Sequence, residues 1–199
     1  MKNLGSRIIK TERLILKPQT MDEQYTLWRI LMIPEVNKYY LTVPKKFRDK
    51  LNDWDKQEKY YKEEMEHAND LDVYKWSMFL KDTGECIGRV TCQRGDVNDL
   101  AIRDVGWYID PKYQGLGYGT EAAKAMISFM FNEVGINEIR TGAATVNPAS
   151  WEIMERLGFV RTDKTKMIQY TYLDEPVEVY QYLLTKEMFY DFNNKKVLK

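Results

Sequence analysis

Three glycines at alternate positions form the stretch of this sequence best suited to bind a ligand. They are Gly115, Gly117 and Gly119, and they lie between a predicted strand and a predicted helix. Glycine lets the chain turn tightly and leaves its backbone N–H groups uncovered by side chains. The helix that follows adds the partial positive charge of its N-terminus. We therefore expect this loop to bind an anion, most naturally a phosphate group.

The spacing of the loop separates several kinds of phosphate site. A Walker loop ends in Gly-Lys-Ser/Thr, whereas no lysine follows Gly119. Gly117, Gly119 and Ala122 satisfy the loose dinucleotide-binding pattern, but that pattern needs an acid at the end of the next strand. The strand predicted at 138–145 carries its acid, Glu138, at its start. A glycine turn with a purely structural role is a further alternative.

One family fits the spacing better. The pattern Gln-x-x-Gly-x-Gly at 114–119 resembles the pyrophosphate-binding signature of the GCN5-related N-acetyltransferases, the GNAT family, in which arginine or glutamine opens the motif. Asn-x-x-Ser at 147–150, followed by Leu-Gly-Phe at 157–159, resembles the family's segment that contacts the pantetheine arm of coenzyme A. Thr-Glu-Arg-Leu at 11–14 resembles the RimJ/RimL branch, which acetylates protein N-termini. The resemblance covers about residues 10–187.

The resemblance implies a transfer of the acetyl group of acetyl-CoA to a primary amine, by direct attack in a ternary complex. The acceptor would be a protein N-terminal α-amine or a small-molecule amine. Acetyl-CoA is then a co-substrate, no metal is implied, and a homodimer is compatible with the family. The residues implied in binding CoA are Trp107, Tyr108, Ile109, Gln114, Gly115, Leu116, Gly117, Tyr118, Gly119, Thr120, Asn147 and Ser150.

Asp104 is the candidate general base, acting through water. Strand alternation places it on one face with Gly106 and Tyr108. The resembling family carries a glutamate-type base on this strand, and aspartate is one methylene shorter. A structural salt bridge to Arg103 or Arg89 is the alternative interpretation of this acid.

Ser150 is the candidate hydrogen-bond donor to the departing thiolate. Asn147 suits a helix N-cap and Pro148 suits the first helical position, so Ser150 falls in the first turn of a helix. Its hydroxyl can either cap the helix or point towards a ligand beside the glycine loop. The resembling family places a hydroxyl, often that of a tyrosine, near the acetyl-CoA sulfur.

The acceptor amine must be neutral before it attacks. An α-amine with a pKa near 8 is roughly one-fifth neutral at pH 7.4, whereas a lysine side chain near 10.4 is neutral only at about the part-per-thousand level. No strong base is evident in the sequence. We therefore expect preference for an α-amine over a lysine ε-amine.

Composition narrows the remaining possibilities. The 199 residues fit one domain, and 30 basic against 30 acidic side chains give no global attraction to nucleic acid or an anionic membrane. Cys86 and Cys92 lie in one predicted strand, where a disulfide is implausible, and no Cys/His cluster suggests a metal. The N-terminus lacks a continuous apolar signal segment. We expect a single-domain cytoplasmic enzyme without nucleic-acid or membrane partners.

The predicted elements favour an α/β (α+β) fold, with a mixed sheet of about seven strands flanked by about four helices. The resemblance to the GNAT family makes that sheet mostly antiparallel. A helix capped by Thr20 is predicted to end before Pro34, and a second helix is predicted to end at Gly135. The predicted strands are 11–17, 75–81, 86–94, 101–109, 138–145, 159–162, 167–172 and 177–184, with a hairpin turn at 82–85 and a bulge or close packing at 87–88.

The charged segment 47–68 has an apolar stripe at helical spacing and is predicted to form one or two amphipathic helices. It either covers the core or walls a substrate cleft. His67, the only histidine, is expected to be a solvated surface group. The last dozen residues carry no pattern that places them.

Three functions from different classes remain open. The first is an acetyltransferase that uses acetyl-CoA, and the second is a non-catalytic acyl-CoA-binding sensor or scaffold with the same fold. The third is a nucleotide-dependent enzyme, which would need the acid that the 138–145 strand lacks at its end. Release of free thiol from acetyl-CoA in the presence of amines separates the first two.

Overall fold

A computed structural model describes residues 1–2, 4–66, 73–96 and 98–197. His67 and Ala68, at the end of the predicted amphipathic segment, lie outside these ranges. The strands are β1 (Ile9–Lys10), β2 (Leu14–Pro18), β3 (Val73–Leu80), β4 (Cys86–Arg94), β5 (Ile102–Ile109), β6 (Glu138–Ala144), β7 (Val160–Ile168) and β8 (Val177–Thr185). The helices are α1 (Gln24–Leu31), α2 (Pro34–Asn37), α3 (Arg48–Leu51), α4 (Trp54–Glu66), α5 (Tyr118–Phe129), α6 (Pro148–Arg156) and α7 (Lys186–Val197).

All eight described strands belong to one sheet in the order β1-β2-β3-β4-β5-β6-β8-β7. Every neighbouring pair is antiparallel except β5 and β6, which are parallel. The predicted mixed, mostly antiparallel sheet is therefore confirmed. The helices outnumber the prediction because α2 and α3 are single turns and because the unplaced C-terminal residues form α7.

The sheet is covered on both faces. One face carries the main core, in which Leu14 and Leu16 of β2 and the apolar side of α5 are fully buried. The other face carries a smaller cluster formed by α1, Val36 and Tyr108. The methionine and phenylalanine residues predicted to be core are buried: Met126, Met130, Phe131 and their neighbours Ile127 and Val134. Strand β5 therefore presents alternate residues to two different environments.

The predicted hairpin between β3 and β4 is confirmed, and so is its irregularity. Met78 pairs with Gly88 whereas Phe79 pairs with Cys86, so Ile87 is the extra residue of a bulge. A Cβ at Gly88 would overlap the carbonyl oxygen of Tyr108 on β5. Glycine is needed there because the two backbones approach so closely.

Two predicted boundaries are wrong. Helix α1 begins at Gln24, because the Thr20 N–H and hydroxyl both donate to the Glu23 carboxylate in a preceding turn (2.9 and 2.7 Å). The strands predicted at 159–162 and 167–172 are replaced by one strand, β7 (Val160–Ile168), and residues 169–172 are not in a strand. The middle of β7 is polar and pairs irregularly with β8 between Arg161 and Thr165. The sequence does not show it as a strand, because an exposed edge strand needs no alternation of apolar residues.

Candidate functional site

The parallel strands β5 and β6 separate soon after they meet. They pair only at Ile102 with Glu138 and at Arg103 with Ile139. Beyond that point the Thr141 hydroxyl donates to the Val105 carbonyl (3.1 Å), and then the strands diverge. The divergence opens a cleft of about 1560 Å³, which is lined by both strands, the glycine loop and α6.

The β5 edge that faces this cleft offers unpaired backbone groups. The carbonyls of Val105 and Ile109 point to the cleft side, because they accept hydrogen bonds from Thr141 and from the Gln114 amide (3.1 Å each). The Gly106 carbonyl points the other way, towards Thr91 on β4. Alternation along an extended strand therefore turns the N–H and C=O of Trp107 into the cleft. A ligand with an amide backbone of its own can pair with this edge.

The glycine loop has the geometry that the sequence predicts. Gly115 and Gly117 have positive φ angles of 75° and 84°, and Gly117 is the N-cap of α5. The N–H groups of the first turn of α5 have no partner within the helix and point out of its N-terminus beside the cleft. The glycines, the unpaired backbone N–H groups and the positive end of the α5 dipole therefore lie at the same place, and this arrangement is suited to binding a phosphate.

Among the residues predicted to bind CoA, all but Leu116 line the cleft: Trp107, Tyr108, Ile109, Gln114, Gly115, Gly117, Tyr118, Gly119, Thr120, Asn147 and Ser150. The Leu116 side chain is exposed. Gly119 is buried, and a Cβ there would lie 3.1 Å from Ile153 and 3.2 Å from Ile109. Gly119 is therefore needed for helix packing as well as for the loop. Residues 114–120, together with residues 147–153 of the α6 end, are called the loop wall below.

A brace from the N-terminal segment holds the loop wall in place. Arg13 pairs with Glu121 of α5 (2.7 Å), donates to the Leu116 carbonyl (2.9 Å) and lies 4.4 Å from the centre of the Tyr118 ring. The Thr11 hydroxyl also donates to Glu121 (2.6 Å). Sequence reasoning noticed Thr-Glu-Arg-Leu at 11–14 only as a resemblance. Glu121 lies in the first turn of α5, directly after the glycine loop. An acid at that position is the local sign in the sequence that a basic partner lies nearby.

Helix α6 starts as predicted at Pro148, but its cap differs. The Asn147 side chain makes no capping hydrogen bond, so the predicted side-chain cap is wrong. The N–H of Ser150 donates instead to the Asn147 carbonyl (3.1 Å), and Asn147 has φ and ψ of −116° and 74°. The Ser150 hydroxyl is partly buried at the cleft and makes no hydrogen bond to the described part of the chain.

Asp104 lies on the cleft face predicted for it, at the point where β5 and β6 separate. Its carboxylate accepts hydrogen bonds from the Val105 N–H (2.9 Å) and from the Gln93 amide (3.4 Å). Burial raises the pKa of Asp104, and hydrogen bonds from Thr141, Gln93 and Val105 partly offset that effect. None of these described partners is Arg89 or Arg103. A carboxyl with a raised pKa beside a cleft is a stronger base than an ordinary carboxylate and is a candidate proton acceptor.

Tyrosine side chains form the opposite side of the cleft, which is called the aromatic wall below. It consists of Tyr39, Tyr40, Tyr60, Tyr108 and Tyr170. They come from four separate parts of the chain and make edge-to-face contacts, with ring centres 5.0 Å apart for Tyr40 and Tyr108 and 5.7 Å apart for Tyr39 and Tyr170. Sequence analysis identified only Tyr108 among them.

The charged segment 47–68 contributes little to the cleft. Its apolar stripe packs Trp54 and Tyr61 of α4 against each other and against Trp28 of α1. Only Tyr60 and Glu64 of its described residues line the cleft. Most of the segment therefore covers the α1 layer, and one turn of α4 reaches the cleft.

Metal clusters and membrane-spanning helices are both absent from the described residues. No cluster of three or more His, Cys, Asp or Glu side chains in the described ranges could hold a metal ion. No helix within those ranges is long and apolar enough to cross a membrane.

Comparisons with known proteins agree with this geometry. A model of the acetyltransferase (GNAT) domain family matches residues 13–160. The uncharacterized N-acetyltransferase YnaD of Bacillus subtilis is 33% identical over 58 residues, which cover 29% of this chain and 34% of YnaD. The match thus spans about a third of that relative.

Solved structures are similar over most of the chain. An acetyltransferase (GNAT family) from Bacillus anthracis superimposes with a TM-score of 0.72 and 20% identity, covering 90% of this chain and 99% of that one. RimL, a ribosomal L7/L12 alpha-N-protein acetyltransferase in complex with coenzyme A, has a TM-score of 0.74 and 15% identity, covering 90% and 98%. At sequence identities of 20% and 15%, this structural similarity shows only that the chain shares the fold of these proteins.

Proposed function

Because this chain belongs to the GNAT acetyltransferase family, we propose that it is an N-acetyltransferase that passes the acetyl group of acetyl-CoA to a primary amine. The observation that carries the proposal is the separation of β5 and β6 directly beside a braced glycine loop. An open strand edge next to a helix N-terminus fits a ligand with an amide-containing arm and a pyrophosphate. Acetyl-CoA has both.

In the proposed complex the two parts of acetyl-CoA use different backbone groups. The N–H groups of residues 115–120 hold the pyrophosphate. The cleft edge of β5, with the N–H and C=O of Trp107, pairs with the pantetheine arm. Ser150 and Asn147 lie across the cleft on α6. Binding therefore relies mainly on main-chain donors, which need correct loop geometry rather than charged side chains.

The proposed reaction is a direct transfer in a ternary complex. The neutral amine attacks the thioester carbon, a C–N bond forms, and the C–S bond breaks to release the CoA thiolate. The negative charge that develops on the carbonyl oxygen is stabilised by a backbone N–H of the β5 edge. The amine's proton passes through water to Asp104. The thiolate, a good leaving group, accepts a hydrogen bond from Ser150.

We propose that the acceptor carries an α-amine. Asp104 is one acid acting through water, so the site is suited to an amine that is already partly neutral. An α-amine near pKa 8 is roughly one-fifth neutral at pH 7.4, about two hundred times more than a lysine side chain. The RimL likeness in fold is compatible with such an acceptor.

The test compares two peptides at pH 7.4, one with a free α-amine and a blocked lysine, and one with the reverse. Thiol release from acetyl-CoA is expected to be faster with the free α-amine. Faster release with the lysine-only peptide would contradict the α-amine assignment and leave the acetyltransferase proposal intact. Tight CoA binding without thiol release, with these peptides and with a panel of small amines, would instead identify a non-catalytic CoA-binding protein.

A further inference from the structure

Arg89 of β4 lies in the cleft, and no described residue provides a carboxylate partner for it. Its Nη2 donates one long hydrogen bond to the Tyr40 hydroxyl (3.3 Å), and its Nε is buried with no partner among the described residues. The guanidinium lies 5.7 Å from the ring centre of Tyr40 and 5.2 Å from that of Tyr108. An arginine offers five N–H donors and keeps its charge in proteins, so most of its donor capacity remains unused.

The neighbouring charges do not neutralise Arg89. Glu64, an acid that lines this part of the cleft, pairs with Lys75 at 2.5 Å. The buried acid Glu23 accepts hydrogen bonds from Thr20 and from Ser77, the pairing partner of Arg89 on β3. Glu35, the other acid at this end, is exposed. Within the described residues, the aromatic wall therefore contains one unmatched positive charge. Buried or half-buried charges in proteins are usually paired, so an unmatched one in a cleft is a place for an anionic group of a ligand.

The position of Arg89 fits an acceptor with two charged ends. Arg89, Thr91 and Gln93 lie on the same sheet face as Tyr108, Gly106 and Asp104, their respective pairing partners on β5. The Tyr40 hydroxyl that binds Arg89 lies 3.4 Å from where a Cβ of Gly106 would be. Gly106 and Asp104 are two residues apart on β5, about 7 Å along the strand. Arg89 itself pairs with Tyr108, four residues from Asp104, and its guanidinium reaches the Tyr40 hydroxyl beside Gly106. A carboxylate bound to Arg89 therefore leaves the space between Gly106 and Asp104 for the rest of a small acceptor and for the water that leads to the base.

We propose that the acceptor is a small amine that carries a carboxylate, an amino acid or a close analogue, and that Arg89 binds this carboxylate. The proposal rests on the acetyltransferase function proposed above and narrows its acceptor. The amine of a free amino acid has a higher pKa than a peptide α-amine, so such an acceptor depends on binding at Arg89 and on Asp104 rather than on being already partly neutral. Carboxylate binding at Arg89 turns the amine towards Asp104 and the β5 edge. The guanidinium lies beside two tyrosine rings, and its planar fork can form two parallel hydrogen bonds to a carboxylate. A polyamine, which brings only positive charge to the same place, is disfavoured.

The first test needs no variant. Each of a panel of amino acids is compared with its own carboxamide, which keeps the shape and removes the charge, and thiol release from acetyl-CoA is measured at equal concentrations of neutral amine. For the preferred side chain we expect kcat/KM for the acid to exceed that for the amide by about ten-fold or more, since a site built around a charge rejects the uncharged analogue. Equal or faster reaction of the amides would overturn the proposal.

The second test assigns the preference to Arg89. In Arg89→Gln the acid should lose about ten-fold or more in kcat/KM while the amide changes less than about three-fold, and Arg89→Lys should recover part of the loss. CoA affinity, measured by calorimetry, should be unchanged. Equal losses for acid and amide would show that Arg89 only supports the tyrosines, and would overturn its assignment.

Arg161 provides the matched control. It also lies over a tyrosine, with its guanidinium 4.4 Å from the Tyr180 ring centre, but it is exposed on β7 and does not line the cleft. Arg161→Gln should keep the preference for the acid, and loss of that preference would contradict a specific role for Arg89. If peptides or other amines react but no free amino acid does, the carboxylate proposal fails and the acetyltransferase proposal stands. If no amine reacts, both fail.

Discussion

The two sides of the cleft differ in the groups that they present to a ligand: one presents backbone groups and the other presents side chains. The loop wall presents backbone N–H groups from one continuous segment, 114–120, and from the start of α6. The aromatic wall presents side chains from α4, from β5, and from the residues that follow α2 and β7. A backbone site needs a particular chain conformation, and glycine spacing records that conformation in the sequence. A side-chain site needs only residues that the fold brings together, and nothing in the sequence marks them as neighbours.

This difference predicts separate functions for the two walls. The loop wall should govern how tightly the common donor binds, because main-chain donors recognise a pyrophosphate whatever the acceptor is. The aromatic wall and Arg89 should govern which acceptor reacts. A variant that changes CoA affinity and acceptor preference together would contradict this division of roles, and a variant that changes only one of the two would support it.

The largest effect is expected from Gly117→Val. Gly117 has a φ of 84°, which disfavours a β-branched residue, and a Cβ there would lie 3.3 Å from the Arg13 guanidinium. We expect CoA affinity to fall on the order of 100-fold or more, since both the strain and the clash displace the N–H groups. Isothermal calorimetry measures the loss.

Gly84→Val is the matched control for this change. Gly84, in the hairpin turn before β4, has a similar φ of 71°, and a Cβ there meets nothing within 4 Å. The strain should lower the melting temperature in both variants, whereas CoA affinity should fall only in Gly117→Val. Unchanged affinity in Gly117→Val would contradict the assignment of the loop wall to the donor.

A smaller effect, on the order of 10- to 100-fold in kcat, is expected from Asp104→Asn, because a base that acts through water on a partly neutral amine contributes at the low end of general-base catalysis. Burial raises the pKa of Asp104, so the kcat/KM profile should show, below the limb set by protonation of the acceptor amine, a further acidic limb that lies above the ordinary carboxyl value of 3.8. That limb should be absent in the variant. A pH–rate profile of both proteins makes the measurement.

The stability of Asp104→Asn checks the same pKa with an independent readout. Because the folded-state pKa lies above the unfolded value, Asp104 favours the folded state while it is protonated. That contribution is complete below 3.8 and is lost as the pH rises through the folded-state pKa. The variant should therefore melt no lower than the parent protein at pH 7. A large drop in melting temperature at pH 7 would indicate a structural acid.

The smallest of these effects is expected from Ser150→Ala. The hydroxyl makes no hydrogen bond to the described residues, so its removal should shift the melting temperature by no more than about 2 °C. A hydrogen bond to the departing thiolate would contribute about 10-fold to kcat. Stopped-flow thiol release together with a thermal melt separates the two roles. If Ser150→Ala has a normal turnover number but a lowered melting temperature, the role of Ser150 is to cap the helix and not to assist the thiolate.

Local patterns predicted much of the fold and one wall of the site. The positive φ angles of Gly115 and Gly117, the hairpin at 82–85 and the two faces of β5 follow from residues close in sequence. Non-local contacts caused the errors. Thr20 does not cap α1 because Glu23, which binds it, is also bound by Ser77 of β3 (2.5 Å). The helix formed by the C-terminal residues was not predicted, because only a few of its residues, such as Phe189, pack against the core.

The same limit applies to the site. Tyr40 meets Tyr108 and Arg89 only after β4, β5 and the segment after α2 have assembled. No spacing rule joins residues so far apart. The sequence therefore predicts how the protein would hold its donor better than it predicts what the protein acetylates.

The brace of Thr11 and Arg13 on Glu121 also affects how the chain matures. These contacts join residues 108 to 110 positions apart. Such long closures form late, because the entropy of the intervening chain must be lost before the contact stabilises anything. During synthesis, Thr11 and Arg13 thus remain without this partner until more than a hundred further residues have been added. A nascent or damaged chain without the docked N-terminal segment has no competent loop, so retention on a CoA-bearing resin would report that folding is complete.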